Sequence, residues 1–189
     1  MNPPEDWRPT AAVALLKTRA RLLKDIRDFF RERGVMEVET PLLSTAGNTD
    51  PEIQSVIARD GGYLRTSPEF ALKRMLAAGS GDVYELGRVF RSGESGRMHN
   101  LEFTMLEWYR TGLGYLDLMD EVAALVRGCG PEKFGSWQIE KLTYRALFER
   151  HLGLDPFEAD RESLASAAKR NGIDSIELNS RQWLDLLMS

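Results

Sequence analysis

The side chains best suited to chemistry lie together in one stretch, VYELGRVFRSGESGRMHNLEFTMLEWYR, at positions 83–110. An arginine follows a first apolar run, a polar loop supplies histidine, asparagine and further cations, and a second apolar run carries aromatic rings and carboxylates. A guanidinium offers a fixed fork of donors to phosphate oxygens, and an aromatic ring offers a flat face to a base. The stretch therefore suits an aromatic base attached to phosphates, beside a second polar ligand.

Two strands joined by a loop must position these side chains. The apolar runs predict strands at about 83–90 and 101–110, with Arg91 at the end of the first, and the loop is too long for a tight turn. Side chains alternate between the two faces of a strand. One face of the second strand is predicted to carry Phe103, Met105, Glu107 and Tyr109, and the other Glu102, Thr104, Leu106 and Trp108. Ordinary sheet packing with one solvated face is the alternative explanation.

Three segments of this hairpin, FRSGE, RMHN and EFTMLEWYR, resemble in their order the motif 2 hairpin of class II aminoacyl-tRNA synthetases. The likeness is closest to the lysyl branch of that superfamily. The ending LEWYR is similar to the group within the branch that attaches (R)-β-lysine to elongation factor P. A match of this length and order is far more specific than a short glycine motif.

The resemblance implies a role for each hairpin residue that matches the motif. Arg91 would grip the α-phosphate of ATP and be the main catalytic group, and Phe103 would stack on adenine. Glu107 and Tyr109 would point toward ATP and the amino acid, with Tyr109 toward the latter. The implied ATP contacts are Arg91, Ser92, Gly93, Glu94, Arg97, His99, Asn100 and Phe103.

One position departs from the pattern of the lysyl branch. Many members carry an acid two residues after the motif 2 arginine, where this chain has Gly93, and its acid follows one residue later at Glu94. Either Glu94 takes over through a small shift of the loop, or the contact is lost. The first alternative is favoured because Gly93 adds backbone freedom.

A second candidate segment, TSPEFALKRMLAAG, begins at Thr66. Thr66 or Ser67 is suited to cap a helix, with Pro68 in the first turn and Glu69 near its positive end. A well-capped helix is a sufficient structural explanation. The lysyl branch has a similar R-x-[AS]-P-E segment, and the resemblance places Ser67, Pro68 and Glu69 against the amino acid. A carboxylate such as Glu69 can hold an ammonium group by a charge-assisted hydrogen bond.

The N-terminal region predicts a helix at about 10–33, a stop at Gly34 and a short strand at 35–40 that meets Pro41. A helix stop and an edge strand explain this order. Beside the motif 2 hairpin, however, positions 27–42 also resemble motif 1, which implies a homodimer. The turn-rich loop at 44–54, STAGNTDPEIQ, either closes over a site or only connects.

The C-terminal half predicts helices at about 115–126, 143–151 and 160–171, and a last one from 179 or 180. Nothing in it resembles motif 3, the Gly-rich segment whose arginine grips ATP and whose preceding acids help to hold magnesium. The resemblance therefore implies an α+β fold, the N-terminal part of a class II catalytic domain, with an antiparallel sheet flanked by helices. It implies ATP and Mg2+ as cofactors, with no metal ligands in the visible chain.

Composition sets limits on the function. With 42% apolar residues, 29% charged residues and a net charge of −4, the chain is typical of a soluble globular protein and has no basic signature for nucleic acid. No apolar run is long enough for a membrane span, and no signal-peptide core is present. Cys129 is the single cysteine, so a structural or incidental thiol and a cytoplasmic location are expected.

Together the resemblances imply ATP-dependent activation of (R)-β-lysine, or lysine, and transfer to a lysine of elongation factor P rather than to tRNA. The beginning DWRPTAAVALLKTRARLL is similar to that of the same group and leaves no room for an anticodon-binding OB domain. Two alternatives remain open, which are a catalytic fragment of a lysyl-tRNA synthetase and a non-catalytic paralogue that dimerises or binds nucleotide. Because motif 3 is not found, the chain is expected to be an incomplete form of the enzyme.

Overall fold

The protein is represented by a computed structural model that describes residues 9–59, 61–93, 96, 99–130, 136–173 and 177–189. The chain divides into two compact units, Met1–Trp137 and Gln138–Ser189. Over the described residues, the helices of the first unit are α1 (Val13–Glu32), α2 (Glu69–Ala77) and α3 (Tyr115–Cys129). Its strands are β1 (Met36–Glu37), β2 (Leu43–Ser44), β3 (Val56–Ile57), β4 (Tyr63–Leu64), β5 (Val83–Phe90) and β6 (Glu102–Tyr109).

The strands form two 3-stranded sheets, with the orders β1-β5-β6 and β2-β4-β3. Strands β5 and β6 are antiparallel, with Val83 opposite Tyr109 and Phe90 opposite Glu102. The smaller sheet is antiparallel throughout. The expected α+β fold with an antiparallel hairpin is therefore confirmed.

The first strand is shorter than the predicted 35–40, and it pairs in parallel with β5. The pairing continues as far as the Val38 N–H, which donates to the carbonyl of Tyr84 at 2.9 Å. Beyond it, the carbonyl of Thr40 accepts from the guanidinium of Arg65 at 3.1 Å. A side-chain donor thus replaces the ladder at this point, which ends the strand before Pro41.

One face of the hairpin builds the core of the first unit. Leu106 and Trp108 pack against a buried cluster that includes Phe30 of α1 and Tyr84 of β5. The rings of Phe30 and Tyr84 stack with centroids 4.5 Å apart, and the Trp108 ring lies 5.4 Å from that of Phe30. The predicted alternation of side chains along β6 is confirmed on this face. The side chains of the opposite face point away from this core and are available for a binding site. Cys129 packs at the edge of the same cluster, where burial raises the pKa of its thiol.

The open end of the hairpin is fastened by charged groups. Asp82 accepts hydrogen bonds from the backbone N–H and the hydroxyl of Thr111 and from Arg110. The hydrogen bonds from Thr111 are the main reason that the pKa of Asp82 lies below its ordinary value. Glu121 of α3 accepts from the Trp108 indole at 2.9 Å and pairs with Arg110. These bonds fix the two strands in register.

Helix α2 begins one residue later than predicted. Pro68 occupies the N-cap position rather than the first turn, because its carbonyl accepts from the N–H groups of Ala71 and Leu72. Ser67 still assists the start of the helix, since its hydroxyl accepts from the Glu69 N–H at 3.0 Å.

The described part of the second unit contains α4 (Tyr144–Leu152), α5 (Arg161–Arg170) and α6 (Ser180–Met188). The predicted starts of these helices at about 143, 160 and 179 or 180 are confirmed, since the side chains of Thr143, Asp160 and Asn179 accept from backbone N–H groups as N-caps. The core of this unit is formed by Leu164, Ala168 and Trp183. Among the described helices of both units, none combines the length and the apolarity that a membrane crossing would need.

We expect Phe30→Ala to lower the free energy of unfolding by about 3–5 kcal/mol, because it opens a cavity beneath Tyr84 and Trp108. Urea denaturation followed by circular dichroism measures this change. Lys17→Ala is the control on the same helix, since Lys17 is exposed and its truncation should change the free energy of unfolding by less than about 0.5 kcal/mol. Equal losses in the two variants would contradict the position of the core.

A pH-dependent difference is expected for Asp82→Asn. A carboxyl group whose pKa is lowered by folding stabilises the protein above its unfolded pKa, and that stabilisation is lost as the pH falls through the folded pKa. The wild-type chain should therefore be more stable than Asp82→Asn by about 1 kcal/mol at pH 7. This difference in stability should shrink as the pH falls below 3.8, the ordinary pKa of an aspartate side chain. A difference that is the same at pH 3 and pH 7 would show that the charge of Asp82 plays no part.

Candidate functional site

A cavity of about 830 Å³ lies on the hairpin face opposite the core. Strand β6 contributes Met105 and Glu107, the segment before α2 contributes residues 65–68, and Glu69 comes from the start of α2. The loop after β2 forms much of the remaining wall, with residues from Ser44 to Ser55. The sequence allowed two roles for this loop, a cover over a site or a simple connection, and the structure shows that it lines the cavity.

Several residues chosen from the sequence meet at this cavity. The ones that line it are Ser67, Pro68, Glu69, Arg91 and Glu107. Phe103 lies next to this set, because the guanidinium carbon of Arg91 is 5.3 Å from the centroid of the Phe103 ring. Arg91 and Phe103 therefore lie on the same side of the hairpin, and the two faces of the second strand divide as predicted.

A chain of hydrogen bonds organises the acidic end of the cavity. The hydroxyl of Ser67 donates to one oxygen of Glu107 at 2.9 Å, and the phenol of Tyr109 donates to the other oxygen at 2.9 Å. Burial, followed by the hydrogen bond to Glu107, raises the pKa of Tyr109 above its ordinary value. The phenol thus stays protonated at neutral pH and holds the Glu107 carboxylate in place as an acceptor.

Glu69 supplies a second carboxylate at the same cavity. It pairs with Lys73 one turn later on α2 and is about half exposed. The negative charge of Glu69 also contributes to the raised pKa of Tyr109. Two carboxylates at one end of the cavity and the guanidinium of Arg91 in the same lining suit a ligand with ammonium groups at one end and an anionic group at the other.

The remaining predicted residues of the loop lie outside the cavity lining, among the residues that the structure describes. The Ser92 N–H donates to the carbonyl of Gln54 at 2.8 Å, which ties the loop to the cavity wall. Gly93 has a φ of 80°, a conformation that favours glycine. The backbones of His99 and Gly96 pair with each other. Asn100 is exposed.

Glu94 and Arg97 lie outside the described residues. The expectation that Glu94 replaces the acid missing at Gly93 therefore stays a prediction. So does the expected contact of Arg97 with ATP.

A buried polar cluster in the wall of the cavity was not predicted from the sequence. Arg65 pairs with Glu85 at 2.5 Å, and Thr40 joins the pair through its hydroxyl. Gly87 makes room for it, since a Cβ at this position would lie 2.6 Å from Arg65 Nη2. Glu85 inside the apolar run VYELGRVF was the signal in the sequence, because a carboxylate on a buried strand requires a cationic partner. Arg74 was also missed, and it lines the cavity from α2.

The comparison with known protein families agrees with this geometry. The model of the family described as tRNA synthetases class II (D, K and N) matches residues 5–178, which is most of the chain. The chain belongs to the class II tRNA synthetase family. The resemblance is therefore confirmed at the level of the family. The assignment of the β5–β6 hairpin to motif 2 stays a prediction.

Similar relatives of this synthetase chain carry the name elongation factor P–(R)-β-lysine ligase. The one from Pseudoalteromonas translucida is 46% identical over 185 residues, which cover 92% of this chain and 55% of the relative. The one from Vibrio cholerae is 45% identical over 183 residues, with 90% and 54% covered. The one from Photorhabdus laumondii is 43% identical over 201 residues, with 100% and 61% covered. The chain thus spans little more than half the length of these relatives.

We expect Gly87→Ala to destabilise the first unit by about 1–3 kcal/mol, because the new methyl group must displace the guanidinium of Arg65. Thermal denaturation followed by circular dichroism measures the loss. Gly128→Ala is the matched control, since a Cβ at Gly128 in α3 meets no atom within 4 Å. This control should be as stable as the wild type or slightly more stable, because alanine favours a helix. If Gly87→Ala behaves like Gly128→Ala, the cluster is not packed as described.

Proposed function

We propose that this synthetase chain belongs to an enzyme that uses ATP to activate (R)-β-lysine, or lysine, and transfers it to a lysine of elongation factor P. The observation that carries the proposal is the position of Arg91, which contacts Phe103 and lines the same cavity as Glu69 and Glu107. The adenylate of lysine or β-lysine has a matching order of groups, with an aromatic base, one phosphate and then an amino acid with two ammonium groups.

The activation step needs orientation and charge neutralisation rather than a protein nucleophile. A carboxylate oxygen of the amino acid attacks the α-phosphorus of ATP, a new P–O bond forms, and the bond to the leaving pyrophosphate breaks. Arg91 donates two N–H groups to the α-phosphate oxygens, where negative charge grows in the transition state. Phe103 packs against the adenine and supports the face of the Arg91 guanidinium.

The amino acid end is held by carboxylates that are themselves positioned. Glu107 is fixed through both oxygens by Ser67 and Tyr109, so it accepts from a substrate ammonium without reorganising. Glu69 provides the second acceptor, and Pro68 forms the neighbouring wall. Two carboxylates favour a substrate that carries two positive charges over a neutral side chain of equal length.

The other nucleotide contacts complete the proposal. Ser92, Gly93, Glu94, Arg97, His99 and Asn100 are proposed to surround the phosphates and the ribose or base of ATP. Magnesium is proposed to accompany ATP. The described residues contain no group of three or more His, Cys, Asp or Glu that could hold a metal, and no step is assigned to the ion.

The acceptor, the location and the assembly also belong to the proposal. The names of the relatives favour elongation factor P over tRNA as the acceptor, and a cytoplasmic homodimer follows from that role and from the motif 1 resemblance. Exposed apolar residues on α1 support the dimer, namely Val13, Leu15 and Leu16. Acylation of tRNA is the second candidate, because the matching family model is one of tRNA synthetases.

We expect Arg91→Ala to weaken binding of a β-lysyl sulfamoyl adenosine, an unreactive adenylate analogue with an anionic sulfamate, by about 10- to 100-fold. The loss reflects a charge-assisted contact with the anion, and calorimetric titration of the 189-residue chain measures it. Arg88→Ala is the matched control, because Arg88 lies on β5 three residues before Arg91, is exposed and pairs with Glu102. Equal affinities of Arg91→Ala and the wild type would contradict the role of Arg91.

The acceptor is tested with the chain joined to the C-terminal part of the Vibrio cholerae relative, because the chain covers 54% of that protein. Radioactive (R)-β-lysine and ATP are supplied with either elongation factor P or lysine tRNA. We expect at least about tenfold more radioactive label on elongation factor P than on tRNA, which corresponds to a preference of about 1.4 kcal/mol between the two acceptors. Label on tRNA alone would replace the proposal with the second candidate.

A further inference from the structure

Arg65 is the most densely bonded side chain near the cavity, yet the motif resemblance assigns it no role. Its Nε–H donates to the carbonyl of Arg88 at 3.0 Å. Its Nη1 donates to the carbonyl of Thr40 at 3.1 Å and to the Thr40 hydroxyl at 2.6 Å. Its Nη2 pairs with Glu85 at 2.5 Å. Four of its five N–H donors are thus committed to protein oxygens.

The Arg65–Glu85 pair is almost entirely shielded from solvent. Arg65 is 8% exposed and Glu85 is 3% exposed. The second oxygen of Glu85 accepts from the Thr40 hydroxyl at 2.8 Å, so both ends of the pair are satisfied. An arginine that is this enclosed and this fully hydrogen-bonded supports the surrounding structure and does not bind substrate directly.

The backbone of Arg65 joins the two halves of the proposed site. Its carbonyl accepts from the N–H of Phe90 at 2.9 Å, and Arg91 is the next residue along the chain. On the other side, Arg65 leads directly into the segment that ends in Glu69. Arg91, proposed to bind phosphate, directly follows Phe90, which Arg65 holds. Glu69, proposed to bind an ammonium group, lies four residues after Arg65.

We propose that Arg65 is a positioning residue that sets the spacing between Arg91 and the carboxylates Glu69 and Glu107. This role rests on the proposed function, since it matters only for a ligand that engages both ends of the cavity. A joined ligand gains from two sites only when their separation is fixed, and a small displacement of one site removes most of that gain. Separate fragments do not sense the spacing.

The distinction from a purely structural role follows from the same reasoning. A structural arginine that is replaced lowers the folded fraction, and it weakens the binding of every ligand by the same factor. A positioning arginine that is replaced weakens the joined ligand and spares the fragments. A charge-retaining substitution is needed, because removal of the charge would leave Glu85 buried without a partner.

The test measures three dissociation constants for wild type and Arg65→Lys on the 189-residue chain. The ligands are ATP, (R)-β-lysine and the β-lysyl sulfamoyl adenosine that joins their recognition groups. Lysine at position 65 can still pair with Glu85, but its single ammonium group cannot serve Arg88, Thr40 and Glu85 together. We expect the dissociation constant of the joined ligand to rise about tenfold or more, while those of the fragments change less than about threefold.

Arg110→Lys is the matched control, because Arg110 is a partly buried arginine paired with Asp82 and Glu121 at the opposite end of the same hairpin. It should lower the melting temperature and leave all three dissociation constants unchanged. If Arg65→Lys does not fold, Thr40→Val gives the same comparison, since it removes the hydroxyl that links Arg65 to Glu85.

Each outcome decides the proposal. Selective weakening of the joined ligand supports the positioning role. Parallel weakening of all three ligands, or an unchanged joined ligand, overturns it while the proposed function stands. If the wild-type chain binds none of the three ligands, the proposed function fails and the positioning role fails with it.

Discussion

The alternation of side chains along β6 is the constraint on which the site depends. Leu106 and Trp108 are drawn into the core by α1 and by the Phe30–Tyr84 stack, and this fixes the register of the strand. Because neighbouring side chains must point the other way, Met105 and Glu107 face the cavity. A slip of one residue would bury the carboxylate and expose the tryptophan. The hydrophobic core therefore selects which side chains are offered for chemistry.

A second, polar constraint lies between the core and the cavity. Buried ion pairs contribute little net stability, since desolvation offsets much of their attraction. The Arg65–Glu85 pair instead connects particular backbone groups, those of Thr40 and Arg88, that no secondary structure would otherwise bring together. Gly87 is part of this arrangement because any side chain there would meet the guanidinium. The arrangement is specific to one geometry, as a site with two charged ends requires.

Local signals in the sequence were sufficient for much of the fold. The helix caps at Thr143, Asp160 and Asn179 depend on bonds within three residues, and the sequence predicted these helix starts to within one residue. The division of the hairpin faces follows from the period of a strand and was also found. The motif resemblance then brought Ser67, Glu69 and Arg91 to one place, and the cavity contains all three.

The features that the sequence did not give depend on contacts between distant segments. The parallel pairing of β1 with β5 joins positions separated by more than forty residues, as in Met36 with Val83. The part of the 44–54 loop in the cavity wall depends on the bridge from Gln54 to Ser92. The Arg65 cluster joins three segments, and its only signal in the sequence was Glu85, a carboxylate within an apolar strand. Such pairings leave no periodic pattern in the sequence.

The most direct measurement is a crystal structure of the chain with the β-lysyl sulfamoyl adenosine bound. The account predicts adenine against the ring of Phe103, the sulfamate within hydrogen-bond distance of Arg91, and the ammonium groups at Glu107 and Glu69. A ligand bound in the reverse direction, or outside the cavity on the core side of the hairpin, would contradict it.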